Sequence, residues 1–74
     1  MTEPLEMWTI YDHPIDNPDL YVARTWTIVG GVVFAGEFIA LDDLDQLRQR
    51  MRLKGLVPLH RAPGDDPKIV ETWL

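Results

Sequence analysis

Seventy-four residues, 46% of them apolar and none of them cysteine, describe one small α+β domain over residues 1–74, with no disulfide and no thiolate metal site. Seven Lys and Arg against twelve Asp and Glu give a formal charge of −5, the wrong sign for a phosphate-binding surface, so nucleic acid is excluded as an expected partner. No apolar run approaches the roughly 20 residues that span a bilayer, and the first Lys or Arg is Arg24. The positive start of a secretory signal is therefore missing, and the expectation is a cytoplasmic protein with no membrane partner.

Met7 to Tyr11 (MWTIY) is rich in aromatic and β-branched residues and predicts a first strand. The following DHPIDNPD, residues 12–19, holds two prolines and four Asp or Asn residues and reads as a loop. Tyr21 to Val29 and Val32 to Leu41 are β-type segments flanking Gly30-Gly31, a pair suited to the positive φ angles of a two-residue hairpin turn. Closing that turn pairs Val29 with Val32, Ile28 with Val33, Trp26 with Ala35 and Arg24 with Glu37. Both hairpin faces come out apolar, with Val22, Trp26, Ile28, Val33 and Ile39 on one and Val29, Val32, Phe34 and Phe38 on the other. A half-solvated sheet should alternate, so each face requires a cover.

Asp43 to Lys54 predicts one helix, with Asp42 as N-cap and Gly55 as its stop. Leu44, Leu47 and Met51 form its apolar stripe, extended by Leu56, while acidic residues in the first turn and basic ones in the last complement its dipole. Asp45 and Arg48 are a candidate ion pair. LVPLHR after Gly55 can add a brief extended piece, residues 60–67 form a second Pro- and Asp-containing loop, and Lys68 to Leu74 predicts a terminal strand with Ile69, Glu71 and Trp73 on one side. The expected order is β-ββ-α-β: a mostly antiparallel sheet of three or four strands with the helix on one face.

The chain contains neither Ser nor Cys, which removes the two commonest nucleophiles, and none of its threonines sits in a nucleophile turn. An enzyme is not expected, and no cofactor is implied. Asp12, His13 and Asp16 could offer ligands to a metal, although their spacing fits no established metal motif. His60 and Asp65 lie in the second loop. If both loops reached one sheet end, a small-ligand or metal site could form there. Three tryptophans in so short a chain exceed what a one-helix core readily hides. Trp26, Phe34, Phe38 and Trp73 are the expected interface residues, and the expected function is a non-enzymatic protein-interaction module that forms a homodimer through an apolar sheet face or an edge strand, or meets another protein there.

The segments WTIYDHP (Trp8 to Pro14), YVARTW (Tyr21 to Trp26) and DDPKIVETWL (Asp65 to Leu74) resemble those of a family of small bacterial proteins with no assigned activity. The resemblance implies a bacterial or phage-derived origin and carries no functional residue with it.

Overall fold

The structure is a computed structural model that describes residues 4–60, 64 and 66–74. Its elements run β1 (Leu5–Asp12), β2 (Tyr21–Val29), β3 (Val32–Leu41), α1 (Leu44–Leu53), β4 (Pro58–His60) and β5 (Ile69–Trp73). The α+β class, the antiparallel pairing and the single helix agree with the sequence expectation. The strand count does not, because LVPLHR supplies a fifth strand. The sheet order is β3-β2-β1-β5-β4 with every neighbouring pair antiparallel. Pro58 is tolerated because β4 is an edge strand, where a missing N–H interrupts no interior ladder.

β1 is the central strand, and its pairing on both sides extends it beyond the expected Met7–Tyr11 at each end. Its even-numbered residues set the core. Trp8 pairs with Thr25 and Trp73, and Ile10 with Ala23 and Glu71, so these side chains share one face. Leu47 and Met51 of α1 close over that face, and Trp8, Ile10, Ala23, Leu47, Met51 and Trp73 make up the buried cluster. Two of the three indoles are thus accounted for by packing.

The helix begins one residue later than expected. Asp43, not Asp42, takes the extended N-cap geometry, and its carboxylate accepts from the Asp45 N–H at 2.9 Å. At the other end Gly55 turns to φ +80°, its N–H bonds to the Arg52 carbonyl, and the Leu56 N–H bonds to the Met51 carbonyl. That is a Schellman ending, and it folds Leu56 back beside Met51 in the core, as the apolar stripe suggested.

Gly30 and Gly31 adopt φ +56° and +82°, and the three outer hairpin pairs fall where the turn predicts. The fourth does not. Gly36 and Glu37 both stand opposite Thr25, so Arg24 pairs with Phe38 instead of Glu37. This bulge reverses the faces of the remaining β3 residues. Ile39 turns to the helix side, where it packs on the core, and Phe38 joins Arg24 and Trp26 on the opposite face. The Arg24–Glu37 pair therefore does not form, and the Arg24 guanidinium lies over the Phe38 ring, 5.6 Å from its centroid. β5 carries a second bulge: Ile10 pairs with Glu71 but Tyr11 pairs with Ile69. Ile69 consequently leaves the face of Glu71 and Trp73, and Val70 packs on the core.

The hairpin bulge rests on one close approach. A Cβ at Gly36 would stand 2.7 Å from Thr25 Oγ1, and Thr25 is itself buried, its hydroxyl donating to the Glu37 carbonyl at 2.9 Å. Gly36→Ala is expected to destabilise the fold by about 1–3 kcal/mol through overpacking. In a Thr25→Ala background the same substitution should cost at least ~0.5 kcal/mol less. Urea unfolding of the four proteins at one fixed concentration checks this double-mutant cycle, and strict additivity would contradict the contact.

Candidate functional site

The helix covers one sheet face. The other meets no element of the chain among the described residues, and the register assigns its side chains row by row. Leu5, Ile28 and Val33 form one row, and Met7, Trp26 and Ala35 the next. Val57 and Leu74 extend this second row on the β4 side, joined by both backbone hydrogen bonds, 2.9 and 3.0 Å. The third row runs Leu59, Thr72, Thr9, Arg24, Phe38 across all five strands. Beyond it lie Ile69, Tyr11, Val22 and Ala40.

Leu5, Val33, Phe38, Val57, Leu59 and Leu74 are each between 41% and 62% exposed, while Met7, Trp26 and Ile28 are half-buried between them. Single apolar side chains on a surface need no explanation, but adjoining ones across several strands mark a surface built to be covered. In these rows the only charged group is Arg24. β3 adds to the patch as an edge: it is ten residues long, exposed from Val32 to Phe38, and among the described residues no strand pairs with its outer side. Long apolar edges invite pairing, and the Gly36–Glu37 bulge is the kind of irregularity that blunts them.

Of the expected interface residues, Trp26 and Phe38 lie together on the open face. Phe34, which pairs with Thr27, is exposed on the helix side of the hairpin tip, beside Val29 and Val32. Trp73 is only 1% exposed and lies under the helix, so it contributes to the core and not to a surface. Leu5, Val57 and Leu59 escaped the sequence reading because their strands are short or marginal in propensity. Only pairing to β2 and β5 places them on the face.

The loop candidates fare differently. The topology brings the first loop beside Lys68 at the start of β5: the Asp12 N–H donates to the Lys68 carbonyl at 2.7 Å, and Lys68 Nζ donates to the His13 carbonyl at 3.3 Å. His13 sits at φ +47° with its ring edge-on to Tyr21, 4.8 Å between centroids, and its Nδ1 contacts Asp12 Oδ1. Asp16 is exposed, His60 lies on β4, and Asp65 falls outside the described residues. Among the described residues no three His, Asp or Glu side chains come close enough to hold a metal ion.

The helix-side polar contact that sequence missed is Arg48 with Glu71. Nε and Nη2 of Arg48 both donate to Glu71 Oε1, at 2.9 and 2.7 Å, and the carboxylate side chain is 12% exposed. The expected Asp45–Arg48 pair also exists, but at 3.8 Å with the Asp45 side chain 90% exposed. Only the first ties helix to sheet. Glu71→Gln is expected to lower stability by about 1–2 kcal/mol, since it weakens a charge-assisted pair that is largely shielded from water. Asp45→Asn should change it by less than about 0.5 kcal/mol. Thermal unfolding of both variants separates the two pairs, and equal losses would contradict this ranking.

Compared with known protein families, curated proteins and solved structures, the chain matches none, and nothing in those comparisons bears on its origin. No helix among the described residues is long and apolar enough to cross a membrane.

Proposed function

We propose that this chain is a non-enzymatic interaction module that self-associates, setting its open sheet face against the same face of a second copy about a two-fold axis. The observation that carries the reading is the pair of adjoining apolar rows from Val57 to Ala35 and from Leu5 to Val33, with Phe38 and Leu59 at their border. A two-fold contact requires a surface complementary to itself. A face whose rows carry one charged side chain, Arg24, meets that requirement with little like charge to juxtapose, and no described acidic side chain stands in those rows.

Energetics favours the same occupant. A domain of this size buries only about 60% of its unfolded surface, and the core here comprises six buried apolar side chains on the helix side of the sheet. A stable dimer buries about 800 Å² on each partner, a modest share of the 5205 Å² exposed by this chain, and one sheet face can supply it. In the paired form Trp26 and Phe38 are the aromatic anchors, and Arg24, held over the Phe38 ring, stands between the second apolar row and the row of Ile69, Tyr11, Val22 and Ala40. The protein acts in the cytoplasm in this reading, and its activity is assembly.

Size-exclusion chromatography with light scattering, from low to high micromolar, tests the proposal. Wild type is expected to elute as a dimer of 8.5 kDa chains, with a melting temperature that rises with concentration. The Val33→Glu/Phe38→Glu variant changes two exposed positions on that face and is expected to be a folded monomer by circular dichroism. A wild-type monomer throughout the range, or a variant that remains dimeric, would overturn the assignment.

A further inference from the structure

The helix side holds a separate feature that the self-association reading does not use. Between the outer flank of α1 and the β4–β5 edge lies a cleft of about 340 Å³, lined by Arg48 and Arg52 from the helix, Pro58, Leu59 and His60 from β4, and Val70, Glu71 and Trp73 from β5. Its volume is at the lower end of the range for small-molecule sites, and its walls combine apolar surface with a few convergent polar groups, as such sites do.

The two guanidinium groups are not equivalent. Arg48 is engaged by Glu71 through two hydrogen bonds, which fixes it as part of the wall. Arg52 has no carboxylate partner among the described residues; its guanidinium is held over the face of the Trp73 indole, 5.8 Å from the centroid. An indole face orients a guanidinium while leaving its N–H fork free, and that fork matches a carboxylate bidentately. Trp73 brings a second, independent sign of incompleteness. Its indole N–H is buried and has no acceptor among the described residues, an uncommon state for a buried donor.

The charges set the class of ligand. Glu71 cancels Arg48, which leaves Arg52 as the uncompensated cation at the cleft among the described residues, so one negative charge is matched there and two are not. The apolar lining from Pro58 and Val70 accepts a hydrocarbon or aryl body, while the Trp73 ring lies behind Arg52. We infer that this cleft binds a small organic acid, seating its single carboxylate on the Arg52 guanidinium and its apolar body against Pro58 and Val70.

Benzoate serves as the probe, titrated into the ¹⁵N-labelled protein at constant ionic strength and followed by NMR, with inorganic phosphate titrated in parallel. The expected result is a saturable shift of the Trp73 indole N–H and of backbone amides in β4 and β5, with the other two indoles unmoved. Arg52→Gln, at an exposed position, should weaken benzoate at least tenfold, whereas Arg50→Gln, on the same helix but outside the cleft, should leave it unchanged. Phosphate should bind more weakly than benzoate. Absence of a saturable shift, equal losses in the two arginine variants, or phosphate binding as tightly as benzoate would each overturn the inference. Arg52, the residue that the test turns on, lies on the helix side of the sheet, away from the open face, although Leu59 at the β4 edge borders both.

Discussion

Five strands present two faces, and the chain supplies one helix of ten residues to cover them. Everything else in the molecule follows from how that shortage is distributed. The helix is spent over the central strand, where Trp8 and Trp73 meet as cross-strand neighbours beneath Leu47 and Met51, because large apolar surface removed from water is the dominant favourable term in folding. Cations then finish the cover: Lys54 reaches over the Trp8 ring at 5.0 Å and Arg52 over Trp73, so the indoles are sealed at the helix edge by groups that themselves keep contact with water. Among the described residues no second helix is left for the other face.

Two bulges decide what that uncovered face contains. Without the extra residue at Gly36–Glu37, Ile39 would point away from the helix and Phe38 toward it, and the core would lose one of its flanking side chains. With it, Ile39 packs on the core and Phe38 is delivered to the open side next to Trp26. The bulge in β5 does the corresponding work by bringing Val70 to the helix side while keeping Glu71 in reach of Arg48. Both devices favour the core, and both enlarge the apolar surface opposite. The stability of the monomer and the case for a second copy are therefore linked through the same backbone irregularities.

The two sides of the sheet suit different tasks. The open side is broad, apolar and almost uncharged, as an interface between identical chains requires. The helix side is polar and indented, with fixed charges around a small volume, which is the setting for a ligand and not for a second chain. The Asp12–His13 contact stands exposed at the end of β1, and neither residue lines the cleft.

Much of this was legible in the residues. Gly30-Gly31 with its β-branched flanks determined a hairpin and its outer register, the Leu44, Leu47, Met51 spacing determined a helix with one buried stripe, and the excess of apolar positions on both hairpin faces announced that one helix could not cover everything. These are local properties, set by allowed φ angles and by periodicity within a few residues. The sequence could not determine that β1 lies at the centre, that LVPLHR forms a strand, that Trp73 is core while Phe38 is surface, or that Arg48 bonds Glu71 across 23 positions of chain. Each of those depends on which strands become neighbours and on where an extra residue is inserted. A one-residue shift in pairing turns every later side chain to the opposite face, and only the packed sheet, by burying one face under its helix, selects among the alternatives.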